Sequence, residues 1–268
     1  MNFFRQFFKA FSVAFSIYSK IPVPRFAWNS DDMKYHLCFF PFVGAFIAGL
    51  EVLWCIFSVK YRLNELFFST FAICIPVLIT GGFHLDGFMD TMDALNSYGD
   101  RAKKLEILKD PHIGAFSVIN LLVLILLSLG FLPSAEKTAL LYVLTFSFVI
   151  SRCLSGLSVL LFPKAKKDGM ALTESLTKSG RTVVIILIIE LTAGLGLCFY
   201  LALIKGLLIF FAAQTFAVFF CFLYYFFMSK KHFGGITGDL CGFFVCISEF
   251  FSLFSVTLAS LALRILGD

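Results

Sequence analysis

The chain has 268 residues and a net charge of +5, yet 59% of its residues are hydrophobic and only 15% are charged, against about 25% charged residues in soluble domains. Apolar runs of about 20 residues, the length at which a helix crosses the hydrocarbon core, recur along the whole chain. Lys and Arg are scattered between these runs instead of being clustered on one soluble module, which argues against a nucleic-acid-binding protein. The composition therefore predicts an all-α polytopic membrane protein.

The first element, residues 1–20, is predicted to be an amphipathic helix lying in the membrane interface. Its aromatic side chains recur at helical spacing, and Arg5 and Lys9 lie off that stripe; the stripe comprises Phe4, Phe7, Phe8, Phe11, Phe15 and Tyr18. The segment Ile21-Pro22-Val23-Pro24 ends the helix, because proline cannot continue it.

About seven transmembrane helices follow, and we treat residues 1–268 as one integral-membrane domain. The predicted spans are 37–59, 65–82, 113–132, 139–162, 182–204, 206–228 and 240–266. The eight cysteines lie mostly inside these apolar runs and show no CxxC spacing. We therefore expect buried thiols and neither a zinc site nor a structural disulfide.

The distribution of positive charge predicts the orientation. With the N-terminus in the cytoplasm, the inside segments carry sixteen Lys and Arg residues and the outside segments carry five, as the positive-inside rule requires. The long polar segments 83–112, 163–181 and 229–239 then become loops on one cytoplasmic face, where they can build a single site. We expect a multi-pass protein of the cytoplasmic (inner) membrane with these loops and the N-terminus in the cytoplasm.

An acidic cluster is the richest feature of the sequence. Asp86, Asp90 and Asp93 follow a Gly-Gly pair at spacings i, i+4 and i+7, which places the three carboxylates on one face of a helix. Their mutual repulsion favours a bound cation, and Mg²⁺ takes carboxylates together with substrate phosphates. His84, just before them, is a base, a phosphate contact or a ligand. The alternative is a solvated acidic loop.

Two later polar segments add candidates. Lys109 and Asp110 precede Gly114 at the entrance to a predicted span. The segment Gly234-Gly235-Ile236-Thr237-Gly238-Asp239 also opens a span, and a helix N-terminus with free N–H groups binds anions. The alternatives are a solvated helix for the first segment and, for the second, a flexible turn with Asp239 as the N-cap.

Arg152 is predicted to lie inside a membrane span, where a charge is costly and marks a functional site by default. A structural ion pair is the alternative. Glu190 and Glu249 also lie in apolar runs and are the candidate partners.

These motifs together, in this order, resemble the cobalamin synthase family, the adenosylcobinamide-GDP ribazoletransferases. The resemblance rests on Pro22-Val23-Pro24, Phe40 to Gly44, Thr80 to Asp93, Leu105 to Gly114, Ser151-Arg152 and Gly234 to Gly242. The stretch from Thr80 to Asp93 is similar to the family hallmark and is the most specific. The chain departs from the family pattern at Ala94, where glycine is usual, and at Leu240 to Cys246.

The resemblance implies the last stage of cobalamin nucleotide-loop assembly. The adenosylcobinamide-phosphate moiety of adenosylcobinamide-GDP passes to α-ribazole or its 5′-phosphate, GMP is released, and adenosylcobalamin or its 5′-phosphate forms. The implied cofactor is Mg²⁺ on Asp86, Asp90 and Asp93, and the implied catalytic residues are His84, Asp86 and Asp90. The implied substrate contacts are Arg152, Lys109, Asp110, Gly235, Thr237 and Asp239. A homo-oligomer and contacts with other cobalamin-pathway enzymes stay open.

Two rival functions fit parts of the pattern. A phosphatidyltransferase acting on CDP-activated lipids also uses spaced aspartates at the membrane edge, but Asp86-Gly87 lacks the Ala-Arg that follows in that pattern. A divalent-cation transporter would place its acidic site near the bilayer midplane and often shows internal repeats. No internal repeat is visible in this sequence.

Overall fold

The structure is a computed structural model that describes residues 3–24, 33–165 and 178–267. Within these ranges the chain is helical and contains no β-strand, only one isolated parallel bridge between Lys164 and Ile236. The helices are α1 (Phe3–Tyr18), α2 (Phe40–Tyr61), α3 (Glu65–Thr80), α4 (Phe83–Asn96), α5 (Arg101–Ile107), α6 (Ala115–Ser134), α7 (Lys137–Tyr142), α8 (Ser147–Leu161), α9 (Lys178–Ile204), α10 (Leu208–His232) and α11 (Gly238–Gly267). The predicted all-α architecture is confirmed.

Among the described residues, six helical segments are long and apolar enough to cross a membrane. They are His36–Tyr61, Ala115–Ser134, Lys137–Leu161, Gly180–Ile204, Leu208–His232 and Gly238–Gly267. The seventh predicted span, 65–82, corresponds to α3, which has only 16 residues. Helix α3 is followed by α4 at a bend of 96°, and the two together make a seventh span if they form one broken crossing.

The predicted N-terminal helix is present as α1, but it is packed more tightly than an interfacial helix requires. Ala10, Val13 and Ala14 are buried, and the ring of Phe7 meets that of Phe39 edge-on at 4.8 Å between centroids. Phe8 is half exposed. One side of α1 therefore lies against the protein, and only the remainder of the aromatic stripe is available to lipid.

The predicted loops are largely helical where the structure describes them. Segment 83–112 contains α4 and α5, because its polar side chains follow the helical period instead of interrupting it. Helix α10 continues to His232, so the connector before α11 is shorter than the predicted 229–239. Residues 166–177, most of the predicted loop 163–181, lie outside the described residues. Helices α9 and α10 are joined by a tight turn in which Gly206 takes φ +69°.

Helix α11 lies at the centre of the bundle and packs against α4, α6, α8 and α10. Its inward face combines large apolar residues such as Phe244 and Val256 with the fully buried Ser248 and Ser252. Each serine hydroxyl donates to a carbonyl of its own helix, so small polar residues let neighbouring helices approach closely without unpaired hydroxyls. All eight cysteines are free and five are buried, which agrees with the prediction of buried thiols.

Candidate active site

Asp86, Asp90 and Asp93 form what we call the acidic face of α4. A sharp break in the chain before α4 determines the direction of this face. Helix α3 ends at Thr80, and Gly81 and Gly82 both have left-handed backbone angles, with φ +65° and +79°. Residues with a Cβ adopt this region at a cost, whereas glycine adopts it freely. The Gly-Gly pair therefore turns the chain by 96° and starts α4 in a new direction, three residues before Asp86.

The three predicted carboxylates do lie on one helix, and a fourth joins them from α11. Asp86 is exposed, and Asp90 and Asp93 are half-buried. The charges of Asp86, Asp239 and Asp93 all act on Asp90. Helix α11 approaches this closely because position 87 is glycine: a Cβ there would lie 2.6 Å from the backbone oxygen of Asp239. The structure thus assembles Asp86, Asp90, Asp93 and Asp239 at one end of the bundle.

Asp93 also contacts the start of α6. A Cβ on Gly114, the N-cap residue of α6, would collide with the Asp93 carboxylate. Glycine at this position therefore lets a negative side chain sit at the N-terminus of a 20-residue helix, where the helix dipole favours it. The contact with Asp93 explains why position 114 is a glycine, which the sequence alone did not.

His84 does not face the carboxylates. It lies two residues before Asp86, about 200° around the helix from it. The His84 side chain is buried, and its ring packs near Phe40 and Phe83, with centroid distances of 5.6 and 5.4 Å. Neither ring nitrogen has a hydrogen-bond partner among the described residues. The structure thus separates His84 from the other two predicted catalytic residues, Asp86 and Asp90.

An open cleft of about 780 Å³ leads to Asp86. Its walls include Lys20 and the residues that follow α1, together with the Gly81-Gly82 turn. The backbone N–H of Lys20 donates to the carbonyl of Ile79 at 2.7 Å, and the Lys20 side chain lies directly over Gly81. Lys20 therefore brings a positive charge to the same cleft as Asp86, a role that the sequence analysis missed because the two residues are 66 positions apart.

Lys109 and Asp110 line a second, shallower cleft of about 400 Å³ beside α5. The Asp110 carboxylate accepts hydrogen bonds from the backbone N–H of His112 at 3.0 Å and from its ring at 2.6 Å. These two hydrogen bonds lower the pKa of Asp110. The predicted pair thus forms a local turn with His112 on an exposed surface.

The glycine-rich connector is a structured turn. The backbone N–H groups of Gly235 and Ile236 donate to Ser229 and Pro163, at 3.1 and 2.8 Å, so these two N–H groups are used within the protein. Thr237, not Asp239, is the residue before α11, and its hydroxyl accepts from the N–H of Leu240 at 3.3 Å. The alternative of Asp239 as the N-cap is therefore wrong, because α11 begins one residue before Asp239.

Two basic residues of α5 that looked ordinary in sequence hold this end of the bundle together. Arg101 donates through Nε to the carbonyl of Phe233 at 2.8 Å and covers Gly234. The ammonium of Lys104 donates to the carbonyls that end α4, those of Ala94, Leu95 and Ser97, at 2.8, 3.0 and 2.9 Å. Lys104 is buried, and this burial lowers its pKa.

Arg152 forms an ion pair inside the bundle. Its Nη1 donates to Glu249 Oε1 and to the carbonyl of Phe148, both at 2.7 Å, and the hydroxyl of Ser151 donates to the same Glu249 oxygen at 3.0 Å. Of the two partners considered from the sequence, Glu249 is confirmed. This geometry favours the structural interpretation of Arg152.

Carboxylate oxygens are the ligands that hard divalent cations prefer. The charges of Asp86, Asp93 and Asp239 act on Asp90, and a cation would relieve that repulsion. Among the described residues, however, no group of three or more His, Cys, Asp or Glu side chains is arranged so that it could hold a metal ion. Mg²⁺ usually keeps several waters and completes its shell with one or two carboxylates and substrate phosphates, so a preformed group of three protein ligands is not required for it.

Comparison with known proteins identifies the family. The sequence model of the CobS family, described as cobalamin-5-phosphate synthase, matches residues 10–257. A protein of Lachnoclostridium phytofermentans named adenosylcobinamide-GDP ribazoletransferase is 37% identical over 250 residues, which are 92% of this chain and 92% of its own. Proteins of the same name from Clostridium perfringens and Clostridium botulinum are 30% and 32% identical, covering 91% and 95% of this chain and 95% and 99% of theirs. No solved structure gives a significant match.

The match spans nearly the whole chain and agrees with the resemblance found in the motifs, so it supports neither the phosphatidyltransferase nor the transporter. The chain belongs to the CobS family of cobalamin-5-phosphate synthases.

Proposed function

We propose that the chain transfers the adenosylcobinamide-phosphate moiety of adenosylcobinamide-GDP to α-ribazole or its 5′-phosphate, the reaction that its relatives' name describes. The observation that carries the assignment of the site is the meeting of Asp86, Asp90 and Asp93 on α4 with Asp239 on α11. Phosphoryl transfer depends mostly on positioning and on neutralising charge, and Asp86 lines the open cleft that also contains Lys20.

In this reaction a ribose hydroxyl of the acceptor forms a new P–O bond to the phosphorus nearest the corrinoid. The bond from that phosphorus to the bridging oxygen breaks, and GMP leaves with this oxygen. The hydroxyl proton passes to a carboxylate of the acidic face, since the proton acceptor must lie within hydrogen-bond reach of it. Asp86, the exposed member beside the open cleft, is the best placed acceptor.

Asp86, Asp90, Asp93 and Asp239 are the residues that would hold Mg²⁺. Bound there, the cation would neutralise the diphosphate and the departing GMP. The Lys20 ammonium, at the wall of the same cleft, adds a positive charge for the phosphates. His84 lies on the other side of α4, so its predicted role as a base is not favoured by this geometry, and a contact with substrate suits it better.

We also propose that this site faces the cytoplasm in the inner membrane. The sixteen-to-five excess of Lys and Arg on this side supports it. So does the bond from Lys20 to Ile79, which holds the segment after α1 at the same end as Asp86. In vesicles of known sidedness, protease should reach an N-terminal tag from the cytoplasmic side only; cleavage from the opposite side would refute this orientation.

The decisive experiment measures GMP release and cobalamin formation by the purified full chain, with and without Mg²⁺. Asp86→Asn should abolish both products, because it removes a charge from the acidic face without changing its shape. Glu106→Gln is the matched control: its carboxylate lies at the same end of the bundle, and among the described residues its ion pair is an exposed one of 3.1 Å with Lys103. A folded, Mg²⁺-loaded protein that forms no product would refute the function, and an active Asp86→Asn would refute the site.

A further inference from the structure

The segment that follows α1 is fixed against the turn between α3 and α4. At the end of α1 the buried Ser19 donates through its backbone N–H and its hydroxyl to the carbonyl of Phe15, at 3.0 and 2.7 Å. The N–H of Ile21 donates to the Ser19 hydroxyl at 3.3 Å. Between them, the N–H of Lys20 donates to the carbonyl of Ile79 near the end of α3, at 2.7 Å. The backbone that carries the Lys20 side chain is therefore held by hydrogen bonds at and around this residue.

The aliphatic stem of Lys20 lies across Gly81. A Cβ on Gly81 would lie 2.6 Å from Cγ and 2.9 Å from Cδ of Lys20, well inside the separation of about 3.5–4.0 Å at which carbon atoms pack. Gly82 takes the same left-handed region, but nothing lies within 4 Å of its Cβ position. The two glycines therefore differ: both allow the turn, whereas Gly81 also makes room for Lys20.

The ammonium of Lys20 is available to a ligand. The side chain is exposed, and among the described residues its Nζ forms no hydrogen bond or ion pair. Lys20 lines the cleft of about 780 Å³ that Asp86 also lines. Ordering a free lysine on binding costs side-chain entropy, and a stem that already lies across the turn has lost part of that freedom before the ligand arrives. The contact with Gly81 thus preorganises a positive charge in this cleft.

The charges in the cleft define the ligand. A phosphate that approaches Asp86 meets a negative carboxylate, and a neighbouring ammonium offsets this repulsion. Adenosylcobinamide-GDP, the donor substrate, carries a negatively charged diphosphate, whereas α-ribazole has no anionic group. We propose that Gly81 is a positioning residue: the absence of a side chain there lets Lys20 lie across the turn, where its ammonium binds the diphosphate of the donor. This inference rests on the proposed function, and it gives Gly81 a role that Gly82 lacks.

The test compares two glycines with similar backbone angles. Gly81→Ala should displace the Lys20 stem and raise the KM for adenosylcobinamide-GDP by about tenfold, since a charge-assisted hydrogen bond is lost, while the KM for α-ribazole stays within about twofold. The matched control is Gly206→Ala, in the turn between α9 and α10. Its φ is +69°, against +65° at Gly81, but nothing lies within 4 Å of its Cβ position. The control carries the same backbone strain without the contact, so both KM values should stay within about twofold of the wild type.

Lys20→Met separates positioning from backbone strain. It removes the ammonium and keeps an unbranched stem, and it should raise the KM for adenosylcobinamide-GDP as Gly81→Ala does. In the double variant Gly81→Ala/Lys20→Met the increase should be no larger than in Lys20→Met alone, because two residues that act through one interaction are not additive. Independent, multiplying increases would overturn the positioning role of Gly81. An unchanged KM in Lys20→Met would overturn the binding role of the ammonium.

Equilibrium binding of GDP separates this inference from the proposed function. GDP carries the diphosphate without the corrinoid, and its Kd for the full chain in detergent with Mg²⁺ should rise by about tenfold in Gly81→Ala and Lys20→Met but not in Gly206→Ala. That pattern in a protein without transferase activity would overturn the function and keep the inference. Normal transfer with no GDP binding, or with an unchanged Kd in both variants, would overturn the inference and keep the function. If Gly81→Ala does not fold, Gly81→Asn is measured in its place, because Asn adopts left-handed angles more readily, and unchanged GDP binding there overturns the proposal.

Discussion

Replacing Glu249 with glutamine removes the negative charge that pairs with Arg152 inside the bundle. The Arg152 side chain is 1% exposed and that of Glu249 is 18% exposed, and their charged atoms are 2.7 Å apart. Glutamine keeps the shape and an oxygen that can accept from Arg152 and Ser151. The variant therefore isolates the effect of an uncompensated positive charge, and removing one partner of a buried pair costs about 3–5 kcal/mol.

A thiol-reactive dye suits the measurement, because five of the eight cysteines are buried and become accessible only on unfolding. At about 2–4 °C per kcal/mol, the expected loss corresponds to a fall in Tm of about 6–20 °C for the detergent-solubilised variant. The double variant Arg152→Leu/Glu249→Leu should be much less destabilised than the sum of its two single variants, since an apolar pair leaves no unpaired charge. Additive effects of the two substitutions would refute the reasoning.

Three further substitutions test the supports of the acidic face. Gly82→Ala should lower the free energy of unfolding by about 1–2 kcal/mol, because φ +79° is strained for a residue with a Cβ, although there is open space for the added Cβ. The control is Gly130→Ala, in a regular and equally open part of α6. Equal Tm values for the two variants would contradict the argument. Lys104→Met should lower Tm and transferase activity, since it removes three hydrogen bonds from the end of α4. The control is Lys103→Met, which should change neither, because the Lys103 ammonium donates to the exposed Glu106. A stable and fully active Lys104→Met would show that these bonds do not hold α4. Mg²⁺ should raise the Tm of the wild type but not that of Asp90→Asn, and an equal shift in both would place the cation elsewhere.

The membrane spans could be predicted because lipid imposes a simple rule. A crossing helix must bury its backbone polar groups internally and expose apolar side chains over its whole length, and six of the seven predicted segments meet this rule. The remaining segment, 65–82, forms only the 16-residue helix α3, because Gly81 and Gly82 take left-handed angles and turn the chain before α4. The Gly-Gly pair was visible in the sequence, but the direction of the chain after it depends on packing against α11.

The acidic face of α4 could be predicted because residues spaced by four and three share one side of a helix. A helix turns about 100° per residue, so His84 lies about 200° around α4 from Asp86. The sequence-based prediction nevertheless assigned both residues to one site, because they are close in sequence. Lys20, Arg101 and Lys104 were missed for a different reason. Each acts on a segment that the fold alone brings near: Lys20 on Gly81, Arg101 on Phe233, and Lys104 on the carbonyl end of α4.

The two faces of helix α4 meet different surroundings. Its outer face carries Asp86, Asp90 and Asp93 at the end of the bundle, where charged phosphates and water have access. Its inner face carries His84 against a cavity whose wall is mostly hydrocarbon. The break at Gly81-Gly82 starts α4 in the direction that separates these two environments.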